Sequence, residues 1–405
     1  MNTKPRPTTL WQDLGSLPGQ YWILFGGTLV NRFGHFVLPF LVIYLRMRGH
    51  DGGVIGFTLG SYGAGALCAG IIGGYLSDRI GRKSTMLISC AGAAGFMLLL
   101  SQANSVAALV TTTFMTGLSA GMYSPAAGAL IADLIPPELR VRAYSCQRWA
   151  INVGFAAGMA TAGFMAKSSF MTLFVVDAAT TAILGLTVLF GLKERPAARV
   201  ADGTGGWGHA LKHMKGNVPF QLASVASFLI AVVFLQMSCS YSLQTTEGAG
   251  LDERTFGLLM ALNGIMIACL ELPITGYTRR FPPCAIMAAG YALIGIGMGI
   301  NVFGATLPLL VISMVVFTTG EMIALPVSSG YMASLAPDEM RGRYQGVTSI
   351  TWSSATIVGP SLGIAIYHFN PPVLWISIMG LSFASALLIL GISRGIRQIP
   401  EKGGS

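Results

Sequence analysis

Apolar residues run through this chain in long blocks separated by short polar breaks, and almost every block reaches the roughly 20 residues that a helix needs to cross the hydrocarbon core of a bilayer. With glycine, proline and charge read as punctuation, the pattern predicts helices over 21–45, 53–77, 84–102, 105–132, 141–166, 169–192, 217–244, 254–280, 283–304, 306–333, 341–367 and 371–394. These segments leave no room for a soluble domain, so the expected fold is all-α: an integral membrane protein of twelve transmembrane helices. The polar N-terminal segment, 1–20, is not read as a signal peptide, because the apolar run behind it is too long and no small-residue cleavage site follows.

The longest break, 193–216, is rich in Lys, Arg, Gly and His and falls near the middle of the chain. It is expected to link two six-helix bundles, 21–192 and 217–394, with a short tail at 395–405. The halves resemble each other: PPELRVR at Pro136–Arg142 recurs as PDEMRGR at Pro337–Arg343, and the same offset superimposes Pro125 on Pro326. A unit used twice places a substrate site between the halves near mid-membrane. With the N-terminus in the cytoplasm, 19 of the 25 Lys+Arg fall in cytoplasmic segments, and only Arg46, Arg48, Lys167 and Arg254 lie in outer loops. Both termini are therefore expected on the cytoplasmic side of a cell membrane, the inner membrane in a Gram-negative cell.

Composition narrows the function further. Only 10% of residues are charged and 53% are hydrophobic, against roughly 25% charged in soluble domains. Most of the 52 glycines sit inside the apolar runs, as suits closely packed helices in lipid. The formal charge of +9 comes from basic residues at the ends of apolar runs, a topology signal with no nucleic-acid stripe. The six cysteines form no CxxC or Cys/His ligand set, so no metal is expected. No H-E-x-x-H, G-x-S-x-G or phosphate loop occurs, which argues against an enzyme and against ATP-driven transport. The expected partners are the lipid bilayer, a small-molecule substrate and protons, with a proton gradient as energy source and no cofactor.

The strongest local motif is GYLSDRIGRK, Gly74 to Lys83, in the turn after the second helix. It resembles the loop signature of the major facilitator superfamily, G-x-L-x-D-R-x-G-R-[KR], matching at Gly74, Leu76, Asp78, Arg79, Gly81, Arg82 and Lys83. The likeness implies the major facilitator fold, a monomer, and a gate: Asp78 near the N-terminus of the eleventh helix, with Arg79 or Arg82 reaching Asp133 and Glu138 at the end of the fourth. Arg140, in the PPELRVR repeat, belongs to the same gating set. The matching loop of the second half, GYTRRFPPC, keeps Gly276 and Tyr277 without an aspartate, so the gate is expected to be asymmetric.

A charge at the bilayer centre costs at least about 2.5–3.5 kcal/mol on insertion scales, so intramembrane charges mark function or a partner. They are Arg32, Arg148, Asp177, Glu271 and Glu321. The family fold puts the first, fourth, seventh and tenth helices around the cavity, which points to Arg32 and Glu321 and leaves Asp177, on a peripheral helix, a structural role. Glu321, in TTGEMIALP, resembles the tenth helix of some multidrug:proton antiporters and is the expected proton-coupling residue. Glu271 is either a second protonatable site or the partner of Arg148. Asn31, Arg32 and His35 in the first helix are expected in the substrate cavity, as is the polar stripe Gln236, Ser240 and Gln244 of the seventh, with Tyr241 and Trp352 nearby.

Two antiporter motifs are missing: Thr113 stands where the fourth helix of many proton antiporters has arginine, and the fifth-helix signature survives only as Gly154 and Gly158. The reading that results is a secondary transporter working by alternating access, exporting amphipathic or cationic molecules against protons. The alternative, drawn from Arg32 and Arg148, is a proton-coupled importer of a nutrient, peptide or small organic anion.

Overall fold

The computed structural model describes residues 15–193, 207–278, 280–337 and 340–397, and every regular element among them is helical. Twelve helical segments are long and apolar enough to cross a membrane: Gly19–Met47, Gly52–Ser77, Arg82–Ser101, Val106–Ile131, Cys146–Ser168, Phe170–Gly191, Val218–Gly248, Glu253–Thr278, Pro283–Phe303, Leu307–Ser334, Arg343–Phe369 and Pro371–Ser393. An even number of crossings brings both ends of the described chain to one face, here called the terminal face; the other is the distal face.

Three spans are not the straight helices expected. The first breaks at His35 and Phe36 between Gly19–Gly34 and Val37–Met47. The fourth breaks at Met122 between Val106–Gly121 and Tyr123–Leu134. Both breaks lie three residues before a proline, Pro39 and Pro125. Each proline thereby falls in the first turn of a new helix, where its missing N–H is not needed. Pro326, the counterpart of Pro125 in the repeat, stays inside the continuous helix Leu307–Ser334, so the repeated sequence does not produce a repeated break. The seventh span stops at Leu235, restarts over Ser240–Leu243 and ends in a π-helical turn, Gln244–Gly248.

The expected linker, 193–216, is not all loop: Trp207–Gly216 is a helix ending in His213 and Lys215, while 194–206 lie outside the described residues. Asn217 caps the next helix by accepting from Phe220 N–H at 3.1 Å, and Asp51 caps the second span through Val54 N–H at 2.9 Å. Between the second and third spans Gly81 takes φ +94°, a left-handed conformation that fits the glycine of the GYLSDRIGRK turn.

The first six spans meet the last six along two seams, second against eleventh and fifth against eighth. Both seams are close-packed through small residues in their distal halves. A Cβ at Gly56 would lie 2.6 Å from Ser361 Cα, and one at Gly63 2.7 Å from the Thr356 carbonyl carbon. In the other seam, a Cβ at Gly257 would lie 2.6 Å from the Met159 carbonyl oxygen, and one at Gly264 2.7 Å from Ala156 Cβ. Without a hydrophobic drive between helices in lipid, such backbone approach supplies dispersion contacts along the whole seam.

Candidate substrate and ion-coupling site

The distal ends of the seams are closed by side chains as well as by packing. Arg46 pairs with Glu247 at 2.6 Å and Lys167 with Asp252 at 3.4 Å, both across the two sets of helices. Phe40 meets Phe256 edge to face at 5.3 Å. Asp252 also caps the eighth span, accepting from Thr255 N–H at 3.0 Å and its hydroxyl at 2.9 Å. Those bonds, with Lys167, hold its carboxyl below the usual aspartate range.

Toward the terminal face the fifth–eighth seam parts into a cavity of about 620 Å³, bounded by the fifth, eighth and tenth spans. Its polar lining includes Arg148 and Asn152, Glu271 and Thr275, and Tyr331 and Ser334; Trp149, Leu272, Phe281, Pro326 and Val327 are among its apolar walls. Arg148 Nη2 and Glu271 Oε1 are 2.9 Å apart and bridge the two sets of helices. The arginine side chain is 42% exposed and the glutamate 12%. Of the two roles open to Glu271, pairing with Arg148 is the one seen.

Glu321 lies deeper in the tenth span than the lining residue Pro326. It is buried and its Oε2 accepts from Asn263 Nδ2 at 2.8 Å; the same amide donates to Thr318 at 3.0 Å. Arg148 and Glu271 are both close enough to act on it electrostatically. Asn263, Ile267 and Glu271 follow one another at four-residue spacing on the eighth span, so one helix face carries the amide, a cavity wall and the second carboxylate. That spacing was available in the sequence and is the signal by which Asn263 could have been found. Arg148 and Asn152 repeat it on the fifth span.

The other expected cavity residues are elsewhere. Asn31, Arg32 and His35 line a separate space of about 120 Å³ enclosed by the first, second, third, fourth and sixth spans, with Tyr62, Tyr123 and Asp177. Arg32 avoids lipid by facing the interior of its own six helices, not the space between the two sets. Asp177, assigned a peripheral role by position, points into the same space and is buried.

Gln236, Ser240, Gln244 and Tyr241 are buried in the second set of helices and line neither the 620 Å³ cavity nor the 120 Å³ space. Gln236 donates to the carbonyls of Val232 at 3.1 Å and Gly359 at 2.9 Å and accepts from Ser240 at 2.6 Å. Gln244 accepts from Trp375 at 3.3 Å, and Tyr241 donates to Leu310 O at 2.7 Å. Trp352 packs edge to face on Phe234 at 5.8 Å. The polar stripe stabilises the broken seventh span: with no water available, buried amides and hydroxyls pair with backbone carbonyls of neighbouring helices.

In the Gly74–Lys83 turn, Arg82 is the arginine that reaches Asp133, at 2.9 Å. Arg79 instead stacks its guanidinium over Tyr75 of its own helix, 5.7 Å from the ring centre. Lys83 donates to Leu192 O at 2.7 Å, at the C-terminal end of the sixth span, where a cation is favoured. Arg140 donates to Ile135 O at 3.0 Å. Gly74 lies within the helix that carries Asp78; the side chains of Asp78 and Glu138 lie outside the described residues.

Two sets of six spans, a seam closed at one face and a charged cavity opening toward the other define a membrane transporter. The Major Facilitator Superfamily profile matches residues 24–248 and 240–403. The chain belongs to that superfamily. Among curated proteins it is 28% identical over 370 residues to a Na(+), Li(+), K(+)/H(+) antiporter of Planococcus maritimus, covering 83% of this chain and 87% of that one. It is 24% identical over 364 residues to the quinolone resistance protein NorA of Staphylococcus aureus, covering 87% and 91%. Among solved structures, a POT family transporter in complex with a thioalcohol-conjugated peptide superimposes with a TM-score of 0.80 at 15% identity, over 96% of this chain and all of that one, a likeness of fold.

Proposed function

We propose that this transporter exports amphipathic organic cations in exchange for protons, with the terminal face in the cytoplasm. The observation that carries the reading is the charge cluster at the cavity: Arg148 pairs with Glu271 in the wall at 2.9 Å, and the buried Glu321 lies within electrostatic reach of both. Arg148 balances one carboxylate. The other needs either a proton or a cation, because an unbalanced charge in a desolvated site is costly. A proton and a cationic substrate then exclude each other, which is the requirement for exchange. Trp149, Phe281 and Tyr331 add aromatic surface suited to an organic cation. The relatives at low identity, a cation/proton antiporter and a quinolone resistance protein, support this direction of transport. The excess of Lys and Arg at the terminal face supports its assignment to the cytoplasm.

Alternating access follows from the seams. Closure at the distal face exposes the cavity to the terminal side; parting the distal contacts and closing the fifth–eighth seam around Arg148 and Glu271 reverses the exposure. The turn Gly74–Lys83 braces the terminal end of the first set of helices through Arg82 and Asp133 and, in this reading, latches the terminal side through Asp78.

The decisive test is Glu321→Gln in proteoliposomes with an imposed pH gradient. Gradient-driven accumulation of a lipophilic cation should be lost and binding of the cation should weaken, because the amide keeps the hydrogen-bonding shape, cannot release a proton and leaves no free carboxylate for the cation to balance. Full gradient-driven transport by this variant rules Glu321 out as the proton carrier. Transport of alkali cations with no response to organic cations assigns the cavity to inorganic ions.

A further inference from the structure

The small space in the first six spans holds charges that the proposed exchange does not use. Asp177 is 3% exposed, and its Oδ2 has no hydrogen-bond partner. Arg32 shares the space, and its Nε is likewise buried without a partner. The titratable and charged groups facing the aspartate are Arg32 and His35 from the first span, Tyr62 from the second, Cys90 from the third and Tyr123 from the fourth. At about 120 Å³, the space has room for roughly four waters of ~30 Å³ each. Polar and roomy surroundings of this kind supply the hydration that a titrating carboxyl needs.

Asp177 also touches the break in the first span. The backbone N–H of Val37 and the Thr181 side chain lie within reach of its carboxylate, and the Thr181 hydroxyl accepts from Asn31 at 3.0 Å. Val37 is the first residue of the Val37–Met47 helix, so the carboxylate sits at the positive end of that helix dipole. The same short helix carries Phe40 and Arg46, which close the distal face against Phe256 and Glu247. Close approach leaves little slack in the connection: a Cβ at Gly34 would overlap the Thr180 hydroxyl on the Asp177 helix.

We propose that Asp177 is a second proton-binding site, and that its charge state sets the distal closure through the N-terminus of the Val37–Met47 helix. With Asp177 ionised, its negative charge holds the first N–H of that helix, and the distal contacts stay engaged. A proton on the carboxyl removes the charge and weakens the hold. The segment is then free to move with Phe40 and Arg46, and the distal face opens in the proton-loaded protein. This inference does not rest on Glu321 or on the identity of the substrate, since it concerns a gate and a proton only.

The test is a distance measurement between spin labels at Met47 and Ala249, which flank the distal closure from the two sets of helices, with the native cysteines replaced. As pH falls from about 8 to about 5, a range in which an unperturbed histidine also titrates, the distance should lengthen. The same lengthening is expected in Glu321→Gln and in His35→Gln. Asp177→Asn, which mimics the protonated state, should give the long distance at both pH values. An Asp177→Asn protein that keeps the pH response overturns the proposal, as does a response abolished by His35→Gln or by Glu321→Gln alone. Should Asp177→Asn fail to accumulate, infrared difference spectra of the Glu271→Gln/Glu321→Gln protein decide. A protonated carboxyl band that forms at the lower pH and shifts in Thr181→Val supports Asp177; no such band, or one unmoved by Thr181→Val, refutes it.

Discussion

The distal and terminal halves of the seam between the two sets of helices are built from different chemistry. The distal half is glycine against backbone, with Gly56 on Ser361 and Gly257 on Met159, trimmed by exposed ion pairs at the rim. The terminal half, around Arg148 and Glu271, is bridged across a cavity by their ion pair, with no comparable backbone approach among the described residues. Dispersion packing over a long seam is additive and insensitive to ionic conditions, whereas a single ion pair responds to protons, salt and competing cations. A transporter with this arrangement rests with its distal face shut and keeps its chemical sensitivity in the half that holds the carboxylates.

The comparison breaks most directly at Gly257. A leucine there must displace the Met159 carbonyl, and overpacking of this kind costs about 1–3 kcal/mol, enough to shift a two-state equilibrium roughly tenfold or more. Gly257→Leu should increase cysteine labelling from the distal side, decrease it in the cavity and abolish turnover. Unchanged labelling from both sides would show that the glycine seam does not set the resting state.

Removing the ion pair tests the other half. Arg148→Gln leaves Glu271 without its cation. Because the arginine side chain is 42% exposed to the cavity, the loss is closer to about 1 kcal/mol than to the 3–5 kcal/mol of a fully buried pair. Gradient-driven transport should fall about fivefold or more, with protein abundance nearly unchanged. A fall in abundance matching the fall in transport would make the pair structural.

Arg82→Gln sharpens the role of the terminal-face turn. Its guanidinium is buried against Asp133, which is about one-third exposed, so roughly 1 kcal/mol is at stake. Turnover should fall a few-fold as the terminal end of the first set loosens, and the charge-exchanged Arg82→Asp/Asp133→Arg protein should recover part of the difference. No recovery would mean that Arg82 acts through other neighbours.

The smallest effect concerns pH at the distal rim. Asp252 has a folded-state pKa below the ordinary value of about 3.9, so its contribution to stability is complete above that value and is lost only as pH falls through the lowered one. Between about pH 5 and 8 the Asp252 cap should not change. In the Asp177→Asn protein, a spin label at Glu253 should therefore report constant mobility over that window. A pH-dependent mobility that survives Asp177→Asn would place a sensor at the rim itself and not behind the Val37–Met47 helix.

Much of this architecture is legible in the residues. The block lengths specify twelve spans, and all twelve occur within a few residues of the expected limits. The Gly74–Lys83 likeness leaves Arg79 or Arg82 to reach Asp133, and Arg82 is the one that does. The substrate-cavity residues were less accessible. Gln236, Ser240 and Gln244 look in sequence like a polar stripe facing water, yet each spends its hydrogen bonds on carbonyls or side chains around a broken helix. Arg32 and Asp177 are far apart in the chain and carry no mutual spacing, so only the packing of the first span on the sixth brings them into one space.

What the sequence determined by itself is the number of helices, their limits and the loop that joins the second to the third. These depend on local quantities: backbone groups cannot be left unpaired in lipid, so every apolar run of sufficient length becomes a helix, and prolines and glycines mark where it stops. The tertiary structure alone decided which way the rare polar side chains point. Helical periodicity says which residues share a face, but whether that face meets lipid, a neighbouring carbonyl or a cavity depends on how twelve helices rotate and tilt against one another. Small residues far apart in the chain govern that rotation, and this is why Glu271 opens onto the cavity while Gln236, on an equally polar stripe, is sealed against Gly359.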